Sequence, residues 1–393
     1  MPVDRPKLSA RNTFDDAPHA ERLARRRLPR TLFEALTTGN DEGLTYRDNV
    51  RAFGEVAFRP RAAVSHEERD VRTTVLGTEI AFPVLAAPTG GIRVVHPRGE
   101  LAVARAAGLA GTICVVSQIA GYSIEEIAAV AEGPLWQQLY LSRGRATAEE
   151  VIARAAGAGC AALVATVDLG ASPVSAFSTA LRALNWDVGT AVRFAPEVVR
   201  RPGWLLRFLR DTKAMEAANA ALPSAGTSAQ YGLNWEDLGW IREQWSGPLV
   251  VKGVLSAGDA RRAVAEGAAA IVVSNHGGRG LDGLPGTLRV LPEIVAAVDG
   301  AAEVLLDGGI RRGSDVVKAI SLGARAVLAG QAVVMGLAVG GEAGVARIFD
   351  IFRHDTDRTL GLLGCPSIGE LDGSYTRLPL DWGVWRSGSA VSP

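Results

Sequence analysis

A (β/α)8 barrel is predicted for this 393-residue chain by eight apolar runs of strand length, by helical stretches between them, and by glycines at the junctions. The runs fall at 83–90, 111–117, 135–140, 161–168, 248–254, 269–275, 303–309 and 324–330. They are near-continuously apolar rather than alternating, as parallel strands buried on both faces are. Between them, Ala-rich stretches such as GELAVARAAGLA, AEEVIARAAGAG, DARRAVAEG and SDVVKAISLG are long enough to cross back over a sheet. A doubly wound open sheet is the competing architecture, but the chain lacks the signature of a strand-order reversal.

Residues 1–79 read as an N-terminal helical extension packing on the barrel, with a helical segment at 21–36 interrupted by Pro29 and a short helix at 45–53. The barrel is placed at 80–375 and a C-terminal tail at 376–393. One connection is out of scale: about 79 residues separate strand four from strand five, so a lid insertion is expected at about 170–234. Within it, 216–232 is small and polar, like a mobile lid. The segment 197–213 sets Arg200, Arg201, Arg207 and Arg210 beside Trp204, Leu205, Leu206 and Phe208. It reads either as a helix packing its apolar side on the barrel, the simpler reading, or as a face for an acidic membrane surface.

Composition narrows the function. Lys+Arg and Asp+Glu both number 42, a net charge of 0, which argues against a nucleic-acid partner. Three scattered cysteines and five unclustered histidines indicate neither disulfides nor a metal site. The N-terminus lacks a signal-peptide pattern and no run reaches the roughly 18–20 consecutive apolar residues of a membrane span, so a cytoplasmic protein is expected, with peripheral membrane contact left open by 197–213.

Barrel chemistry sits at the C-terminal ends of the strands. There the sequence puts Thr89, Ser117, Gln138, Tyr140, Thr166, Asp168, Lys252, Ser274, Asn275, His276, Asp307 and Gln331. Any one of these alone would suit a plain strand end; their convergence on one face marks a site. After strand seven, Gly308, Gly309 and Arg311 form a stretch suited to a phosphate, so a phosphate-bearing cofactor or substrate is expected. In VSNHGGRGLDG (273–283), His276 and Arg279 lie three residues apart. Asp168 is the carboxylate expected to face His276, which would then abstract a proton near neutral pH. Arg279 offers a planar fork to a carboxylate, and Lys252 a positive charge for a cofactor that becomes negative.

The motifs LPRTLFEAL, DNVRAF, APTGG, HPRGE, QQLY, TVD, VVKGV, SNHGGR and LDGGIRRGSDVVKA, in that order, resemble the FMN-dependent 2-hydroxy acid oxidase and dehydrogenase family over residues 25–372. That resemblance implies FMN across the barrel mouth. Pro88, Thr89 and Gly90 would lie on its ring, Ser117, Gln138, Thr166 and Ser274 around its polar edge, and Lys252 near the pyrimidine side. Asp307, Gly308, Gly309, Arg311, Gly330 and Gln331 would hold the phosphate end. It further implies His276 as base, Asp168 as its partner, Tyr140 as a hydrogen-bond donor to substrate, Arg279 as carboxylate anchor, and a homo-oligomer of tetrameric type.

Four positions depart from the family's pattern. Ala35 stands where a substrate-binding tyrosine is usual, Ser175 aligns with a second carboxylate-binding arginine, Ile119 replaces an aromatic residue, and Gln331 replaces a phosphate arginine. Two of three carboxylate contacts are thereby missing, each worth roughly 1.5–3 kcal/mol. A substrate larger than lactate is therefore expected, oxidised at a carbon bearing a hydroxyl or an amine. ERLARRRLPRTLFEAL and NWEDLGWIREQWSGP are similar to the pre-mycofactocin synthase branch, which implies oxidative deamination in peptide-derived cofactor biosynthesis. An ordinary lactate- or mandelate-type enzyme is the alternative, followed by an FMN- or phosphate-dependent isomerase and a non-catalytic flavin binder. No residue distinguishes oxygen, a quinone or a redox protein as the electron acceptor.

Overall fold

The structure, a computed structural model, describes residues 8–9, 12–141, 144–170, 195–211, 213 and 232–383. Eight parallel strands close into a barrel: β4 (Val84–Ala86), β5 (Cys114–Val116), β6 (Leu135–Leu139), β7 (Ala162–Thr166), β8 (Leu249–Val254), β9 (Ala270–Val273), β10 (Glu303–Asp307) and β11 (Ala326–Ala329). Each pairs with its sequence neighbour and β11 returns to β4, so the sheet has no edge. All eight lie within the apolar runs, and the closed barrel rather than the open sheet is the fold.

Strand alternation builds the interior in layers. Val115, Trp136, Val164, Val250, Val272 and Leu305 point inward and form a dry plug. Two residues further along the same strands, the same face presents Ser117, Gln138, Thr166, Lys252, Ser274 and Asp307, each no more than 7% exposed. The plug therefore becomes a polar floor within one pleat. Outward-facing Val116, Leu163, Ala165, Val251 and Val273 pack under the helices.

Outside the barrel run α1 (Ala17–Arg27), α2 (Arg30–Thr37) and α3 (Leu44–Glu55), then α4 (Gly99–Ala110), α5 (Ile124–Ala128) and α6 (Arg145–Gly157). The expected helix over 21–36 is two helices. Pro29, extended at φ −52 and ψ 143, is the N-cap of the second, where its missing N–H costs nothing. The remaining helices are α7 (Pro202–Arg210), α8 (Trp235–Gln244), α9 (Ala257–Ala265), α10 (Thr287–Val298), α11 (Gly313–Ser321) and α12 (Gln331–Leu363). α12 is long and apolar enough to cross a membrane, but it breaks at Gly340 and Gly341 and most of it is buried inside the fold.

Two small ladders lie outside the sequence reading. β1 (Ala57–Phe58) pairs antiparallel with β12 (Thr376–Arg377), and β2 (Thr73–Val75) with β3 (Thr78–Ile80). Residues 376–377, expected in a tail, are thus tied to the N-terminal extension.

Of the long insertion, α7 is held inward. Trp204 and Phe208 are buried and stacked at 4.9 Å, and the Trp204 indole N–H donates to the Val94 carbonyl at 2.8 Å. Asp211 receives a two-pronged bond from Arg93, with both side chains only 7% exposed. The helix packs its aromatic side on the barrel, the simpler of the two readings, while Val199, Leu206 and Leu209 remain exposed. The polar lid 216–232 lies outside the described residues except for its last residue, Gly232.

Candidate active site

The polar floor is wired across strands. Lys252 on β8 is buried, forms an ion pair with Asp307 on β10 at 3.0 Å, and donates to the Ser274 hydroxyl at 2.8 Å. Burial works against its charge, but Asp307 and Asp168 outweigh that and hold the ammonium above its ordinary value. A permanent cation therefore sits in a water-poor site. On β6, Gln138 donates from Nε2 to Tyr140 Oη at 2.9 Å and to Thr166 Oγ1 at 3.0 Å.

His276 lies where β9 turns into its loop. Its backbone is left-handed at φ +57, unusual for a residue with a side chain, and its N–H donates to Ser274 Oγ at 3.1 Å. This strained turn brings Nδ1 to 3.1 Å from Asp168 Oδ1 and Nε2 to 3.3 Å from Tyr140 Oη. Burial would raise the Asp168 carboxyl, yet His276 and Lys252 together keep it below the usual carboxylate range. An ionised Asp168 accepts the Nδ1–H, which leaves Nε2 as the lone-pair nitrogen facing the mouth.

Two glycines make these approaches possible. Gly253 sits in the β8 bulge at φ +110, and a Cβ there would come within 2.6 Å of the Asp168 side chain. Gly278, at φ +75, lets its loop lie on the first turn of α3, where a Cβ would meet the Tyr46 nitrogen at 2.7 Å.

The loops are fastened to the extension by Asn275, one of the strand-end residues expected at the site, and by Asn49, Asn40 and Asp282, which the sequence did not mark. Asn49 on α3 and Asn275 exchange amide hydrogen bonds at 2.8 Å, and Asn40 donates to the Arg279 and Gly280 carbonyls. Asp282 accepts the Leu44 and Thr45 N–H groups at the start of α3.

Arg279 reaches back to α2. Its Nη1 donates to the Ala35 carbonyl at 2.9 Å and its Nη2 to the Leu36 carbonyl at 2.7 Å. Burial lowers its guanidinium from the ordinary value. Ala35 itself is 1% exposed and meets the site through this carbonyl rather than through an open pocket at its side chain. Ile119 folds over Gly90, where a Cβ would stand 2.2 Å from Ile119 Cγ1, and its carbonyl accepts the Gly91 N–H. Ser175 lies outside the described residues.

At the expected phosphate end, Gly308 and Gly309 both have positive φ and press against Asn49. Arg311 and Gln331 hydrogen-bond each other, and both bond the Tyr46 hydroxyl, Arg311 at 3.1 Å and Gln331 Nε2 at 2.7 Å. Gln331 opens α12 with Gly330 as its N-cap, so the helix N-terminus adds donors. Pro88 and Thr89 are half-buried beside this end of β4.

The residues fit FMN. Gln138 Oε1 and Asp307 Oδ1 are buried acceptors without a protein partner. A flavin ring N–H and a ribityl hydroxyl are the donors that such acceptors need. When bound, FMN supplies a ring that accepts two electrons from a carbon centre. The protein surrounds it with a cation at Lys252 and a base at His276.

Comparison with known proteins agrees. The FMN-dependent dehydrogenase family model matches residues 24–378. The chain is 41% identical to the pre-mycofactocin synthase of Mycobacterium tuberculosis strain H37Rv over 93% of this chain and 95% of that protein. It is 37% identical to the glycolate oxidase of Spinacia oleracea over 92% and 95%. The crystal structure of the monotopic membrane protein (S)-mandelate dehydrogenase superposes with a TM-score of 0.86 at 34% identity, covering 93% of this chain and all of that one. With a closed barrel whose mouth carries this donor and acceptor set, the chain belongs to the FMN-dependent dehydrogenase family and is an FMN-dependent oxidoreductase.

Proposed function

We propose that this enzyme oxidises a carbon bearing an amine or a hydroxyl in a substrate bulkier than lactate, in the manner of oxidative deamination during peptide-derived cofactor biosynthesis. The carrying observation is the commitment of Arg279: both terminal nitrogens donate to α2 carbonyls. Two of its five N–H donors are thereby committed to the protein backbone, which leaves fewer for a substrate carboxylate. The similarity to pre-mycofactocin synthase supports the same reading.

In this mechanism Nε2 of His276 takes the proton from the substrate's amine or hydroxyl, and Asp168 stabilises the imidazolium that results. Tyr140 Oη, beside Nε2, would orient the substrate heteroatom, and Lys252 would supply positive charge to a flavin that becomes negative on reduction. The test is anaerobic bleaching of the flavin by amine-bearing peptide-derived lactams compared with small 2-hydroxy acids. Efficient bleaching by glycolate or L-lactate would reject the proposal.

The second reading is an ordinary 2-hydroxy acid oxidase or dehydrogenase. Its specific support is the presence of His276, Asp168 and Arg279 together at one mouth, and the likeness to glycolate oxidase. We place either enzyme in the cytoplasm, as a homo-oligomer, with exposed Leu206 and Leu209 beside Arg210 as a face for peripheral membrane contact.

A further inference from the structure

One buried carboxyl near the mouth is unused by the chemistry above. Glu100, in the first turn of α4, is 5% exposed. Its Oε1 accepts the Gly121 N–H at 3.1 Å, while Oε2 is buried with no protein partner. The neighbouring cation does not pair with it: Arg93 spends Nε and Nη2 on Asp211 and Nη1 on the Gly121 carbonyl.

Glu100 lines a narrow cavity between α4, the first turn of α12 and the ends of β4 and β5, together with Thr89, Ser117 and Cys114. The cavity is just large enough for one water. Such a water needs two to four polar partners. Among the residues that line the cavity, Glu100, Thr89 and Ser117 carry polar side chains. Neither hydroxyl has a short bond of its own, because Thr89 Oγ1 reaches the Ala87 carbonyl only at 3.4 Å and Ser117 Oγ accepts the Ile119 N–H at 3.3 Å.

We propose that Glu100 is a positioning residue that, through one water in this cavity, orients the Thr89 and Ser117 hydroxyls against the flavin ring and couples its own proton to the ring's reduction. The proposal rests on the reading that Thr89 and Ser117 flank the ring. Burial pushes the Glu100 carboxyl up to about 7, against the opposing pull of its backbone bonds and of Arg93. The other groups facing it are Tyr122, over whose ring Arg93 lies at 4.0 Å, and Cys114, whose thiol burial pushes up to about 12. Neither of these ionises near neutrality, and Asp211 is bound by Arg93, so Glu100 is the group of this cluster that changes charge near pH 7. Once ionised, it opposes the negative charge that the ring gains on reduction.

The experiment follows the flavin midpoint potential of the holoenzyme from pH 5.5 to 9 in wild type, Glu100→Gln, Ser117→Ala and Thr89→Val. The expected result is an added downward bend beginning near pH 7 in wild type, absent from Glu100→Gln, with altered flavin absorbance in Ser117→Ala or Thr89→Val. A bend that survives Glu100→Gln overturns the role of Glu100. Unchanged flavin absorbance in both hydroxyl variants overturns the underlying reading of the ring contacts, and the proposal with it. Infrared titration of the wild-type apoprotein labelled at glutamate carboxyls keeps the test open should a variant fail to fold. A protonated-carboxyl band that persists to pH 6 and fades through pH 7 supports the proposal, and its absence above pH 5 overturns it.

Discussion

His276 and Asp168 lie 108 residues apart in sequence and meet at 3.1 Å across the barrel mouth, with 19% and 11% of their side chains exposed. The contact fixes the imidazole tautomer and aims Nε2 at the space beside Tyr140. Asp168→Asn keeps the shape but removes the charge and the selection of tautomer. Flavin reduction by substrate should slow by roughly 10²–10⁴-fold with flavin content unchanged, as measured by anaerobic stopped flow.

Gly253 tests the same pair from the backbone. Gly253→Ala combines a left-handed strain with a Cβ 2.6 Å from Asp168. Displacing the carboxylate should cost about 1–3 kcal/mol of stability in urea titration and most of the reduction rate.

Lys252→Met leaves Asp307 charged and buried without its cation. The expected loss is about 3–5 kcal/mol of stability, read from urea denaturation of the apoprotein.

Gln331 shares the Tyr46 hydroxyl with Arg311 where a phosphate is expected. Gln331→Arg should tighten FMN binding roughly tenfold, since a second guanidinium adds a charge-assisted bond worth about 1.4 kcal/mol after repulsion from Arg311. Quenching of flavin fluorescence during titration of the apoprotein measures it, and the gain should shrink as salt rises.

Glu100 also governs stability. Its folded value of about 7 lies above the ordinary 4.5, so its contribution is fully present below pH 4.5 and is lost as pH rises through 7. Between pH 5 and 8 wild type should lose up to about 3 kcal/mol relative to Glu100→Gln. His96 runs the other way. Burial, then Arg207 and Arg98, lower it to about 4, so its contribution is lost as pH falls from about 6.5 toward 4. Urea titrations of Glu100→Gln at the two pH values separate the opposing slopes.

The barrel was legible because its strands are buried on both faces and leave an unbroken apolar trace. Their polar ends were legible because a Lys at the end of LVVK, or an Asp at the end of EVLLD, interrupts that trace where a barrel places chemistry. The fastening of the loops was not. Asn49 and Asn275 are separated by 226 residues, and nothing local in DNVRAF says which loop its asparagine will meet. The reach of Arg279 to the Ala35 and Leu36 carbonyls was equally hidden, because a backbone acceptor leaves no mark in the sequence. β1 and β12, two residues each, are too short for any alternation to show.

The most direct measurement is anaerobic bleaching of the holoenzyme's flavin by an amine-bearing peptide-derived lactam, side by side with glycolate, L-lactate and mandelate, in wild type and His276→Ala. The account predicts fast bleaching by the lactam, slow bleaching by the small acids, and loss of the fast reaction in His276→Ala. Fast bleaching by a small 2-hydroxy acid, or lactam bleaching unaffected by the loss of His276, would contradict it.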